Sequence, residues 1–227
     1  IENCRVTDPA LRQGVDRFLR AAHAANALRR GFRIGHIGQR IDFFWTTIVN
    51  ESELLERFHV EVLPIDMVTF IERARQRLRK GRAAYTKEAR RLRRDLVIEG
   101  FKDNEPLMRI LAVRDQMLAH VENDGLEVLA VQDFDSLVDA MGSYCFFANS
   151  LVGDTCPVSL ESDIHGAISN MLMHRACLGR EPVFLTDVTI RHPKDDNGVL
   201  LWHAGAPTSM RKPGTRMRLG KHWILPS

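Results

Sequence analysis

The chain has 227 residues, of which 44% are hydrophobic and 27% charged, and a formal net charge of +3. That composition suits one globular core or two small ones, and so small a charge does not by itself imply a nucleic-acid partner. No apolar run approaches the roughly 20 residues of a membrane helix, and the start Ile1-Glu2-Asn3-Cys4 lacks the basic and apolar regions of a signal peptide.

Elements follow from pattern and punctuation. Pro9 to Arg30 reads as a helix, with Thr7 or Asp8 as cap and Pro9 in the first turn, where a missing N–H costs little. Phe32 to Ile37 reads as a strand ending at Gly38, Glu51 to Phe58 as a helix capped by Asn50, and Val60 to Ile65 as a strand with Pro64 near its end. Helices are expected over Met67 to Leu78, Thr86 to Leu96 and Glu105 to Glu122, followed by an apolar strand from Leu126 to Val131. Phe134 to Val152 is expected to be helical. Val158 to Leu160, Val183 to Leu185 and Val199 to Trp202 read as strands, with a helix from about Asp163 to Leu178 between the first two. The run Trp223-Ile224-Leu225 also looks like a strand. With no initiator Met, the chain reads as a piece of something longer.

Strands alternating with helices imply right-handed crossovers and an α/β fold with a doubly wound, parallel, Rossmann-like sheet. After Asp187 the helices give way to Gly, Pro and short strands. This predicts one domain over 1–157 and the start of a β-rich C-terminal domain over 158–227, with a soft boundary between 156 and 187.

The four cysteines show no C-x-x-C spacing, so neither a disulfide framework nor a zinc ribbon is expected and the chain reads as cytoplasmic. The basic stretch from Arg73 to Arg94 contains one aromatic residue, Tyr85, and so no series of stacking platforms. It reads as solvated helix surface, with no nucleic acid and no membrane as partner. Gly35-His36-Ile37-Gly38 lacks the third glycine of a dinucleotide fingerprint and reads as a plain turn or a sugar-contacting loop. No G-x-S-x-G nucleophile motif is present.

The chemistry concentrates near the C-terminus. Leu160-Glu161, Leu185-Thr186-Asp187 and Trp202-His203 each place an acid or a histidine just after a short apolar run. In a doubly wound sheet, ligands bind beyond the carboxyl ends of strands. Two carboxylates and an imidazole there suit one hard or borderline divalent cation, without which the acids would repel each other. Each residue also has a plainer role open to it. Glu161, Ser162 or Asp163 can cap the following helix, and capping is the better role for Asp163. Asp187 can pair with Arg191, and His203 can be a core histidine. His165, His192 and His222 read as structural or solvent-facing.

These residues also carry a family resemblance. The runs E-S-D-I-H-G-A-I-S from Glu161, P-V-F-L-T-D-V-T from Pro182 and L-L-W-H-A-G-A-P from Leu200 resemble the metal-site region of the L-fucose isomerase and L-arabinose isomerase superfamily. Upstream, R-I-G-H-I-G-Q-R (33–40) and L-x-x-x-F-x-V-E-V, ending at Val62, are similar to that superfamily's second domain. The resemblance implies an aldose–ketose isomerase acting on a monosaccharide through a cis-enediol, with Mn²⁺ or another divalent cation. It matches Glu161 and Asp187 to catalytic acids that also bind metal, and His203 to a metal- or substrate-binding histidine. Gln132 and Asp135, in a strand-end loop, match groups that meet sugar hydroxyls. It also implies a homo-oligomer, trimer or hexamer, and a further histidine ligand downstream of this chain's end. The alternative is a non-catalytic carbohydrate-binding or interaction domain that retains the fold.

Overall fold

In the computed structural model, which describes residues 4–220, the chain builds a four-stranded parallel sheet first. Helix α1 (Pro9–Arg30) leads into β1 (Phe32–Ile37), α2 (Glu51–Phe58) and β2 (Val60–Ile65). Then come α3 (Met67–Lys80), α4 (Arg82–Asp95), a two-residue β3 (Val97–Ile98), α5 (Glu105–Asn123) and β4 (Val128–Val131). Helices α6 (Ser136–Met141) and α7 (Phe146–Val152) precede β5 (Val158–Ser159) and α8 (Ile164–Ala176). The strand order is β2-β1-β4-β5, all parallel. The expected strand at 223–225 and His222 lie outside the described residues.

Alternation along the strands sends side chains to two cores. Phe32, Ile34, Val60, Val128 and Ala130 pack with Ile164, Ala167 and Met171 of α8, with α1 and α2 closing that face. Ile37, Leu129, Val131 and Val158 face α3, α5 and α7. All four residues of β4 are buried, as a central strand covered on both sides requires. Pro64 is accommodated because β2 is an edge strand, hydrogen-bonded only to β1.

Caps behave largely as the residue types dictate. The side chains of Asn50, Asp66 and Asp163 accept from the backbone N–H groups of Glu53, Thr69 and Gly166, three residues on. Asp8 opens α1, but its carboxylate accepts from Arg5 N–H at 2.8 Å rather than from the helix. The basic stretch is helix surface with its own partners. Tyr85 is buried and donates its hydroxyl to Asp115 at 2.8 Å, and Arg114 grips Glu88 at 2.6 Å, stitching α4 to α5.

Four expectations require correction. The helix anticipated over 134–152 is two, because Gly142 adopts φ 65° and ends α6 with a left-handed cap. Val183–Leu185 forms no strand: Val183 is buried and Leu185 lies against Gly166, so this segment packs without pairing. The strand expected from Leu126 begins at Val128. The short strands β3 and β8 (Arg218–Leu219), which pair in parallel, went unforeseen because each is too brief to leave a pattern, and β6 (Asp187–Arg191) was not anticipated either. Strands β6 and β7 (Val199–Trp202) form a separate antiparallel hairpin. Asp187 therefore opens a strand rather than following one. No helix among the described residues is long and apolar enough to cross a membrane.

Candidate active site

The order of the sheet locates the crevice. The chain leaves β1 for β2 on one side and later returns to β4 on the other, so the carboxyl ends of β1 and β4 flank a topological switch point. Three strand ends meet there. Gly38 follows β1 with φ 85°, and a Cβ at that position would lie 2.8 Å from both the Gln132 Cβ and the Met67 Cε. Only glycine permits the loop after β1 to pass this close beneath the loop after β4. Gln132, at the end of β4, is buried and bonds through its N–H to the Ile37 carbonyl at 2.9 Å.

The end of β5 is strained. Glu161 and Ser162 adopt φ 62° and 56°, two consecutive non-glycine residues in the left-handed region. Such backbone costs about 1–3 kcal/mol per residue and persists only where its surroundings enforce it. Here the enforcement is visible. Ser162 N–H donates to the Val131 carbonyl at 2.9 Å, and its hydroxyl donates to the Gln39 carbonyl at 2.9 Å. Glu161 N–H donates to a carboxylate oxygen of Asp133 at 3.1 Å. The turn is thus pinned to the ends of β1 and β4, and Asp163 then caps α8.

The chain after β7 closes over this turn. Gly205 passes against Leu160 and Asn149 with φ 80°, and Ser209 is fastened to Asp154 through its N–H and hydroxyl at 2.9 and 2.6 Å. This brings His203, 10% exposed at its side chain, to Glu161, with 4.0 Å between Nε2 and Oε1. That separation is electrostatic contact, not a hydrogen bond. Trp202 stacks beside the imidazole and Phe184 meets it edge-on, each with ring centroids 6.3 Å away. The Glu161 carboxyl is raised above the usual carboxylate range, chiefly by burial. His203 opposes the shift, while the charges of Asp187 and Asp163 add to it.

The remaining candidates are less central in position. Asp187 is exposed at the start of β6, near enough to act on Glu161 through its charge. Arg191 pairs with Asp196 at 2.9 Å, not with Asp187. Asp135 is exposed and opens α6 without capping it.

Sequence reasoning missed Asp133. It is fully buried, and its second oxygen accepts from the Asn149 side chain at 3.3 Å. Burial pushes its carboxyl up to about 7, and the neighbouring charge of Glu161 adds to the rise. A signal was present: continuing the alternation of Leu129 and Val131 by two residues points Asp133 inward, whereas a loop reading favoured its neighbours.

As a cation site the donor set is partial. Glu161, Asp187 and His203 are the donor types that a hard or borderline divalent ion takes. Glu161 and His203 stand together, but among the described residues no three His, Cys, Asp or Glu side chains converge closely enough to hold a metal.

No protein-family model matches the chain. Three curated proteins are similar to it. A protein of Alkalicoccus urumqiensis named sulfoquinovose isomerase is 24% identical over 195 residues, covering 85% of this chain and 43% of its own length. Proteins of the same name from Priestia aryabhattai and Priestia megaterium are each 24% identical over 211 residues, covering 91% of this chain and 46% of theirs. The chain therefore spans less than half the length of the curated relatives it matches. The likeness is to sugar isomerases, and it runs along most of the chain.

Proposed function

We propose that this chain carries part of the active site of an aldose–ketose sugar isomerase, of the L-fucose/L-arabinose isomerase type. The observation that carries the sugar-isomerase part of this reading is similarity, along 85–91% of the chain, to proteins named sulfoquinovose isomerase, and the L-fucose/L-arabinose type rests on the motif resemblance. The partly buried Glu161, set on an enforced turn beside His203, is consistent with it.

The reaction moves a proton between neighbouring carbons of an open-chain sugar, through a cis-enediol. Glu161 takes the proton next to the carbonyl. A carboxylate held partly out of water beside an imidazole is placed to accept that proton. His203 lies beside it, where an imidazole steadies the developing charge on a sugar oxygen or holds a hydroxyl. Asp187 is the second acid for proton return, and Gln132, buried at the end of β4, and Asp135, exposed before α6, are the groups assigned to substrate hydroxyls. Glu161, Asp187 and His203 are the donors offered to a divalent cation, Mn²⁺ first, with any further donor coming from beyond them. When bound, such an ion polarises the carbonyl and aligns adjacent substrate oxygens.

The substrate class is a monosaccharide, with sulfoquinovose the first to try. The same reading carries a homo-oligomer, trimer or hexamer. Apolar side chains left in solvent on α1, Phe18 at 71% exposure among them, and on the β6–β7 hairpin support an assembled state.

The test is ketose formation by the native protein from a panel of aldoses including sulfoquinovose, with Mn²⁺ or with chelator, in deuterated water. Turnover that needs the cation and leaves deuterium at C1 of the ketose is expected, and Glu161→Gln is expected to lower it by at least roughly 10²-fold. Absence of ketose with every sugar and cation, or full turnover by Glu161→Gln, would refute the assignment.

A further inference from the structure

We propose that Asp133 is a positioning residue that holds Glu161 in its left-handed conformation, and so aims the carboxylate on which the isomerase reading rests. The geometry is specific. Asp133 lies just beyond the end of β4, fully buried, yet one of its oxygens accepts from the Glu161 N–H, 28 residues away in sequence, at 3.1 Å. Its other oxygen takes the Asn149 amide at 3.3 Å, and Asn149 is itself buried on α7. A buried carboxylate bound to two donors is an anchor with little freedom to turn. Glu161 needs such an anchor, because its φ of 62° and the 56° of Ser162 are states that L-residues leave when released.

Ser162 is tied independently, through its N–H to Val131 and its hydroxyl to Gln39. The Asp133 bond is the tie reaching Glu161's own N–H, so it sets the orientation of that residue's Cα–Cβ bond. Freed from it, the Glu161 peptide rotates toward the ordinary extended region and carries the side chain away from His203. Asp133 itself touches no reacting atom in this arrangement. Its role is in placing Glu161, with Asn149 bracing it from behind.

The experiment compares Asp133→Asn, Asp133→Ala and Asn149→Ala by site-resolved amide hydrogen exchange in this chain and by steady-state turnover in the native protein. Asparagine keeps the shape and one acceptor, and Asn149 can turn its amide to complete the pair, so Asp133→Asn should hold Glu161 exchange near the wild-type rate. Asp133→Ala should speed Glu161 exchange by roughly 10- to 100-fold, the worth of a lost bond to a charged group, while the amides of β1 and β4 stay protected. Asn149→Ala should produce the same local loosening to a smaller degree, and it serves if Asp133→Ala fails to fold. In turnover, Asp133→Ala should lower kcat with KM little changed, and Asp133→Asn should restore most of the loss. Unchanged Glu161 exchange in both alanine variants would overturn the proposal. So would a uniform rise across the sheet, which marks a merely structural residue, and so would equal inactivation by Asn and Ala, which marks a group that must ionise. The exchange arm needs no substrate, so it decides the role of Asp133 even if the native protein isomerises no sugar.

Discussion

Replacing Glu161 with glycine should remove function without loss of stability, and comparison with Glu161→Ala isolates the reason. Both substitutions delete the carboxylate, the stem and their burial; they differ only in the Cβ. At φ 62° a Cβ crowds the following carbonyl, a cost of about 1–2 kcal/mol for an L-residue. Glycine escapes that cost but brings back unfolded-state entropy worth about 0.4–1 kcal/mol. The difference leaves Glu161→Gly more stable than Glu161→Ala by about 1 kcal/mol. In a protein of this size that corresponds to a melting temperature roughly 2–4 °C higher. Relative to wild type, glycine also removes a half-buried acid that faces the charges of Asp187 and Asp163, so no net loss of stability is expected. Urea titration and thermal melts of the three proteins, read by circular dichroism, supply the numbers. Alanine equal to or more stable than glycine would show that the backbone there is not left-handed, and the argument for an enforced turn would go with it.

Gly38→Ala should destabilise by about 1–3 kcal/mol, because φ 85° and two carbon contacts of 2.8 Å leave no room for a methyl group; denaturant midpoints measure this, and a shift of a few tenths would contradict the close approach of the two loops. His36 gives a pH dependence. Its imidazole is pulled below 6.5 by burial, and its Nε2 is buried with no hydrogen-bond partner. The unfolded chain therefore binds this proton more readily than the folded one, and the contribution is fully present at neutral pH and lost as pH falls below about 6.5. Stability curves between pH 5 and 7.5 should be flatter for His36→Leu than for wild type, and parallel curves would remove His36 from the acid response.

What the sequence determined by itself is the frame. Period-2 and period-3.6 patterns, with Asn50, Asp66 and Asp163 at helix starts, act over a few residues, and so β1, β2 and α1 appear at the positions their residues predict. The strand-end rule also brought Glu161 and His203 to notice, because apolar runs that stop at an ionisable residue are visible in one dimension. What the tertiary structure decided depends on contacts between distant segments. The bond from Asp133 to Glu161 crosses 28 residues and that from Ser162 to Gln39 crosses 123. No local pattern encodes a φ imposed from so far away, nor the pairing of the buried Asp133 carboxylate with the Glu161 N–H. Asp187 failed as a strand end for the same reason. Whether Val183–Leu185 pairs or merely packs is settled by the neighbours it finds, and here it packs beside α8, leaving Asp187 to open an exposed hairpin.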